Sequence, residues 1–370
     1  MNAGDEVSCV GDPLPRAGYP LPRAVEGLTP QWLTKAISQR CPGITVASVA
    51  VNGIIWGTAT KVLVDLTYLG DAAALGVPNK LCIKGEFDER VRKTLAAMTM
   101  TGTQVEALFY NDLGPELRVP LPRHWFGGSE PGMGILILDN LSAVNATFGA
   151  PTAPWSPELV GRALEILATV HGSTWNKSFA EIDWLPVGPT AIRQANEFLM
   201  SEAHWKSHFS NPDVFQLPAS LKARERCLAG LHAMWRYDDA HAFSLIHGDA
   251  HLGNTCIDAQ GRPFFIDWAG PCRSCWAFDV ANFMVGALTA QDRRASEQEL
   301  LRGYLTGLAA HGGPVLAWSE AWDDYRRHIL NGLIWPTVPP AMQPMENVRA
   351  MGERYTTALL DHDTLRLLGV

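Results

Sequence analysis

A chain of 370 residues exceeds what one ordinary core organises, and 47% hydrophobic with 18% charged residues suits packed globular lobes rather than disorder. The formal net charge of −8 argues against a general nucleic-acid binder, whose phosphate contacts need a basic surface, and would not repel a cationic substrate. The opening MNAGDEVSCVGD lacks a basic region followed by an apolar run, and the seven cysteines are an odd, scattered set, so neither a secretory signal nor a disulfide framework is expected. No stretch approaches about 18 uninterrupted apolar residues, which predicts no membrane span. Reduced thiols in a cytoplasm are the expectation.

Residues 1–24 carry a short repeat, Pro13-Leu-Pro-Arg-Ala17 returning as Pro20-Leu-Pro-Arg-Ala24, and proline at this density predicts an extended arm. A helix follows, with Thr29 as cap, Pro30 in the first turn and Pro42-Gly43 as stop. β-rich runs occupy 44–56, 59–69 and 80–85, a helix 103–113, and further strands 119–126 and 134–138. These residues read as an antiparallel sheet with one prominent helix.

The second part reads as helical. Ser156-Pro157 opens a helix whose apolar residues Leu159, Val160, Ala163, Leu164, Leu167 and Val170 recur at helical spacing. Further helices are expected near 190–207, 219–236, 276–290, 296–311 and 319–333, interrupted by one β-rich island at 244–268. The class is therefore α+β, with boundaries at 1–24 for the arm, 25–138 for a sheet-rich first lobe, 139–141 for the join and 142–370 for a helical second lobe.

The island carries the chemistry. Short apolar strands bracket a turn-rich run, Leu245-Ile-His-Gly-Asp-Ala-His-Leu-Gly-Asn254, followed by Phe264-Phe-Ile-Asp-Trp268. This predicts Asp249, Asn254 and Asp267 at one rim, a hard oxygen set suited to magnesium, which takes one or two carboxylates and completes its shell with water and substrate phosphates. Asp249 and Asn254 are separated by four residues, the spacing of a kinase catalytic loop, and Asp267 follows Asn254 by 13 residues, after one hairpin. A transition-metal site from His247, Asp249 and His251 is the competing reading, but the sequence supplies no completing His-x-x-His or Glu-x-x-His pair.

The run His247-Gly-Asp-Ala-His-Leu-Gly-Asn254 with Ile266-Asp-Trp268 resembles the signature of the aminoglycoside phosphotransferase and choline kinase group, most closely the ecdysteroid-kinase-like subgroup. The resemblance implies a bilobal protein-kinase-like fold and ATP-dependent phosphoryl transfer to a hydroxyl of a small-molecule acceptor. It implies Asp249 as base, Asn254 and Asp267 as magnesium ligands, and His247 as a loop-shaping residue. A nucleotide-binding pseudokinase or scaffold without transfer activity is the alternative.

The first lobe holds matching candidates. Lys84 lies on an apolar strand, where an unpaired ammonium would be costly, and Glu106 lies on the next prominent helix; the order matches the kinase lysine–glutamate pair, with Glu86 and Glu89 as rivals nearer in sequence. Gly53-Ile-Ile-Trp-Gly57-Thr-Ala-Thr60 stands where a phosphate-covering loop is expected, although it lacks the glycine pattern; Gly57, Thr58 and Thr60 are its candidate phosphate contacts. Asp139 and Leu141 end a strand resembling the family's adenine-binding hinge, with Asp139 expected to act as a structural cap.

In the second lobe, Leu167-Ala-Thr-Val-His171 with Trp175 resembles a family helix, which implies that His171 packs against the catalytic loop. Asp279 corresponds to a family aspartate that braces that loop through backbone hydrogen bonds. The run Gly270-Pro-Cys-Arg-Ser-Cys-Trp276 departs from the family's turn by lacking a second glycine, and its Cys272-x-x-Cys275 spacing opens a weaker metal or redox reading. Of the 13 tryptophans, Trp184, Trp205 and Trp335 are candidates for an apolar or cation-attracting acceptor pocket.

Overall fold

The computed structural model describes residues 19–70, 75–95 and 99–370. The first copy of the proline repeat and Cys9 lie outside the described residues. The chain divides into two compact units, one running through Ala146 and including Asp267–Ala269, the other formed by Thr147–Ile266 and Gly270–Val370. The assignment of 267–269 to the sheet-rich unit differs from the boundary expected from the sequence.

The first unit opens with residues 19–24 laid on its core. Leu21 is buried, and the Trp32 indole N–H donates to the Pro20 carbonyl at 3.3 Å. Helix α1 (Pro30–Ser38) begins where expected: the Thr29 hydroxyl accepts the Trp32 N–H at 3.2 Å, and Pro30 occupies the first turn. Strands β1 (Thr45–Ile55), β2 (Thr60–Leu69), β3 (Lys80–Gly85), β4 (His124–Glu130) and β5 (Met133–Asp139) form an antiparallel sheet in the order β1-β2-β3-β5-β4. Along β2 the residues Thr60, Val62, Val64 and Leu66 are buried while their neighbours are partly exposed, the period of a half-buried strand. That buried face packs with Trp32, Leu33, Ala36 and Ile37 of α1 in one core cluster.

Two elements here differ from the sequence expectation. The strand predicted at 119–126 begins only at His124, because Pro120 and Pro122 have no N–H to give a sheet ladder. The helix predicted at 103–113 is α3 (Gly102–Leu108), capped reciprocally by Thr101 and Gln104, and it widens into a looser π turn at Phe109–Leu113. A short helix, α2 (Glu89–Leu95), was not expected; it buries none of its residues and so leaves no apolar period in the sequence.

The second unit is largely helical. Its elements are β6 (Thr147–Phe148), α4 (Pro157–Ser173), α5 (Thr190–Leu199), α6 (Glu202–Phe209), α7 (Arg224–Ala240), β7 (Ser244–Ile246), β8 (Thr255–Ile257), β9 (Pro263–Phe265), β10 (Cys272–Ser274), α8 (Ala277–Ala287), α9 (Ala290–Ala310), α10 (Trp318–His328), α11 (Met345–Asp361) and α12 (Thr364–Leu367). Every residue of α8 is buried, so this helix is the centre of the unit. Two small antiparallel sheets flank the 247–254 loop: β7 with β10, and β6 with β8 and β9. The glycine-poor run after Gly270 is β10, in register with β7 through Cys272 opposite Ile246. No helix among the described residues is long and apolar enough to cross a membrane.

Candidate functional site

In the first unit the geometry starts from sheet register. Lys61 of β2 pairs with Lys84 of β3, so both side chains leave the same face. Lys84 is 3% exposed, and its ammonium meets the Glu106 carboxylate of α3 and, at 3.0 Å, Asp267 Oδ1. Lys61 Nζ stands 3.8 Å from the other oxygen of Asp267. Burial works against the charged ammonium of Lys84, but the two carboxylates outweigh it and raise its pKa, so Lys84 stays charged. Burial pushes the Glu106 carboxyl up to about 7, against the pull of Lys84 and with Asp267 adding to the rise. Asp267 itself has φ 63°, a left-handed conformation that is uncommon for non-glycine residues and that aspartate tolerates better than most. The next residue supplies the anchor: the Trp268 ring is fully buried and stacks on Phe109.

The rival glutamates are committed elsewhere. Glu86 is buried and accepts the Thr103 N–H at 3.2 Å and the Gly134 N–H at 2.7 Å. Glu89 is exposed and pairs with Lys93 one turn on.

Two of the candidate nucleotide contacts, Thr60 and Asp139, have structural surroundings, and Asp139 is the cap the sequence suggests. Thr60 pairs with Gly85, one position from the Lys61–Lys84 pair, so the pleat turns its side chain to the opposite face from Lys84. It is 1% exposed there, on the same buried face of β2 as Val62 and Val64. Asp139 is spent on structure. Its carboxylate accepts the Arg123 guanidinium at 3.0 Å and the Trp125 indole N–H at 2.8 Å, and its backbone N–H donates to the Arg123 carbonyl at 3.0 Å. Gly57 and Thr58 lie in the exposed turn between β1 and β2. Leu141 opens a short helical turn capped by the Asn140 side chain.

In the second unit the 247–254 loop is built around Asp279 of α8. This fully buried carboxylate accepts the His247 N–H at 2.6 Å and the Gly248 N–H at 3.0 Å, and it also meets His171 Nε2 of α4 at 3.3 Å. The other nitrogen of His171 meets the Tyr304 hydroxyl at 2.8 Å, so the imidazole is held from both sides. Gly248 has φ 79°, and a Cβ on it would stand 2.0 Å from the Gly270 carbonyl oxygen; glycine is required on both counts. His247 is buried, with Nε2 3.0 Å from the Ile266 carbonyl. These contacts leave the Asp249 side chain 42% exposed. The Asn254 amide N–H₂ donates to both the Asp249 carbonyl and its Oδ2 at 3.0 Å, which leaves the Asn254 carbonyl oxygen as the remaining donor atom for a cation. His251 Nδ1 accepts the Gly253 N–H at 3.0 Å, a loop-forming bond.

Asp249 opens into a pocket of about 240 Å³ within the second unit, with Asn331, Phe278 and Trp335 among its walls. Trp335 was one of three tryptophans singled out from the sequence; Asn331 and Phe278 carried no signal there, because neither belongs to a motif. The Cys272-x-x-Cys275 pair holds two buried free thiols, and burial raises the pKa of both, the opposite of an activated redox pair. Cys275 lies in a buried group with Asp238 and His328, whose ring bonds Asp238 Oδ1 at 2.6 Å.

Residues 108–318, more than half of the chain, match the model of the phosphotransferase enzyme family, APH, and the chain belongs to that family. Its α+β architecture, an antiparallel sheet followed by a mainly helical unit, is the class expected for it. Among solved structures, the chain is similar to choline kinase LicA from Streptococcus pneumoniae, at 14% identity over 86% of this chain and 94% of that one, with a TM-score of 0.47. LicA in complex with AMP is similar at 15% identity, 88% and 94% coverage, and a TM-score of 0.49. An ethanolamine kinase from Plasmodium vivax is similar at 12% identity, 85% and 81% coverage, and a TM-score of 0.45. No curated protein sequence matches the chain.

Proposed function

We propose that this protein is an ATP-dependent kinase of a small-molecule alcohol, with Asp249 as the base. The observation that carries the reading is the buried contact of one lysine, Lys84, with both Glu106 and Asp267, which pre-orients a cation for phosphate oxygens. Membership of the phosphotransferase family supports the reaction class. The 247–254 run supports our placing the chain nearest the ecdysteroid-kinase-like subgroup.

In this reading Lys84 binds the α- and β-phosphates, and Glu106 keeps it from swinging away. Gly57, Thr58 and the backbone around Leu141 are the remaining candidate nucleotide contacts. Asp249 accepts the proton of the acceptor hydroxyl, and Asn254 holds the Asp249 carboxylate in position through its amide N–H₂. The Asn254 carbonyl oxygen and the Asp267 carboxylate are hard oxygen donors whose chemistry fits magnesium. Magnesium bound there would neutralise phosphate charge. Positioning and charge neutralisation supply most of the acceleration in such a reaction.

The test is magnesium-dependent ATP consumption across a pool of small alcohols, with nucleotide affinity measured separately. Asp249→Asn is expected to lower acceptor-dependent turnover by about 10²–10⁴-fold while leaving ATP affinity within a few fold. Near-normal turnover in that variant would remove Asp249 from the role.

A further inference from the structure

Among the described residues lining the pocket beside Asp249, Asn331 alone has fully buried side-chain polar atoms with no hydrogen-bond partner. Asn331, in the 3₁₀ segment Ile329–Thr337, is 4% exposed, and neither its amide oxygen nor its amide nitrogen has a hydrogen-bond partner among the described residues. A second asparagine of the same wall, Asn282, shows what a structural amide looks like. Its nitrogen donates to the Ala250 carbonyl at 3.0 Å, and its oxygen accepts the Tyr355 hydroxyl at 2.7 Å. A buried amide with both functions unpaired destabilises the fold, and native proteins keep such groups where a function, a ligand, an ion or an ordered water accounts for them; a place on a pocket wall favours a ligand here.

The rest of the pocket states what that ligand is not. Ile192, Phe278, Ile334, Trp335, Val338 and Met342 make its walls predominantly apolar, and Asp249 is the one ionisable side chain lining it among the described residues. An acceptor with several ammonium groups would bury charges against hydrocarbon with a single counter-charge to share. An acidic acceptor would bring its charge to Asp249 with no cation from the walls to offset it. A neutral amide, by contrast, offers one acceptor and two donors, which a carbonyl or hydroxyl oxygen satisfies without any charge.

We infer that the pocket takes an uncharged, mostly apolar alcohol carrying a second oxygen, a carbonyl or a further hydroxyl, which Asn331 hydrogen-bonds while Asp249 faces the reacting hydroxyl. The inference rests on the assignment of Asp249 to the acceptor side. In the reaction the acceptor oxygen forms a new bond to the γ-phosphorus, and the bond from that phosphorus to the β–γ bridging oxygen breaks. ADP leaves with that electron pair, and the hydroxyl proton passes to Asp249 and then to solvent.

Two measurements on the full-length protein separate this inference from the kinase reading. Calorimetric binding compares cyclic hydroxy-ketones with the same alcohols lacking the ketone, with choline and with a polyamino sugar; phosphoryl transfer from magnesium-ATP is then followed for each. The hydroxy-ketones are expected to bind most tightly. Asn331→Leu is expected to weaken them by about 10-fold or more while hardly changing the ketone-free alcohols, the mark of a lost buried hydrogen bond. The same variant is expected to melt at or above the wild-type temperature, because an unpaired amide gives way to an apolar group of similar size. Asn331→Asp is expected to lose the hydroxy-ketones and gain affinity for amines. Tighter binding of choline or the polyamino sugar by the wild type, equal weakening of every ligand, or a lower melting temperature for Asn331→Leu would each overturn the role of Asn331. Selective hydroxy-ketone binding without transfer would instead overturn the kinase reading and leave the pocket assignment standing.

Discussion

Trp268 lies flat on Phe109, with ring centroids 4.4 Å apart and planes within 4°. The stack ties the residue after Asp267 to the turn that continues α3, the helix that carries Glu106. Both carboxylates that meet Lys84 are therefore referred to one rigid feature. Phe109→Leu keeps an apolar side chain but removes the ring face, and the expected cost is about 1–2 kcal/mol of stability. Nucleotide affinity is expected to fall more than the stability loss alone would cause, because Asp267 loses its anchor. Denaturant unfolding paired with nucleotide titration checks this; unchanged affinity in a folded variant would show that Trp268 does not set the position of Asp267.

Glu86 and Glu89 look alike in the sequence and differ sharply in the structure. Glu86 satisfies two backbone N–H groups, one at the start of α3 and one at the start of β5. Glu86→Ala leaves both unpaired in a buried place, and its expected cost is about 2–4 kcal/mol. Glu89→Ala removes only an exposed pair with Lys93 and is expected to leave the unfolding midpoint close to that of the wild type. Urea midpoints for the two variants make the comparison directly; similar midpoints would contradict it.

This pair also marks how far sequence reasoning reaches. A strand lysine needs a buried counter-charge, but strand register decides which nearby carboxylate faces it, and only three-dimensional pairing reveals that Lys84 and Lys61 share a face while Thr60 does not. The 247–254 loop was legible because its residues are contiguous and their spacing is itself the signal. Residues 345–361 do show helical spacing in Val348, Met351, Tyr355 and Leu359, and α11 could have been read from it. Beyond Trp335 the pocket wall was not legible, since Asn331 has meaning only through the partners it lacks.

His124, at the start of β4, meets the Arg40 guanidinium at 2.6 Å. Burial first, and the Arg40 charge second, depress its pKa to about 3 from an ordinary value of 6.5. The folded state therefore keeps His124 neutral while the unfolded chain takes up a proton below 6.5, so the stability tied to this residue is complete above that pH and drains as the pH falls toward 3. By pH 4.5 the loss is expected to be on the order of 1–2 kcal/mol, discounted for partial exposure. His124→Gln keeps an acceptor for Arg40 and has nothing to titrate. Its unfolding midpoint is expected to fall less than that of the wild type between pH 7 and pH 4.5, and parallel falls would rule out His124 as the source.

Asp279 accepts the two N–H groups that open the 247–254 loop and meets His171 from the other side. Asparagine has nearly the same shape but one acceptor oxygen, and its amide N–H₂ would confront a backbone N–H it cannot bond. With the site fully buried, Asp279→Asn is expected to cost about 3–5 kcal/mol and to loosen the loop that presents Asp249. Gly248→Ala reaches the same loop by another route: its Cβ meets the Gly270 carbonyl at 2.0 Å, so the loop must move rather than merely lose a bond. Both variants are expected to lose acceptor-dependent turnover by at least about 10²-fold while still binding nucleotide, since displacement of a reacting group by about 1 Å costs that much. Hydrogen exchange at residues 247–254, followed alongside turnover, separates a loosened loop from global unfolding. Faster exchange confined to the loop with lost turnover is the expected result, whereas full turnover in either variant would mean that the loop tolerates displacement and that its bracing serves stability alone.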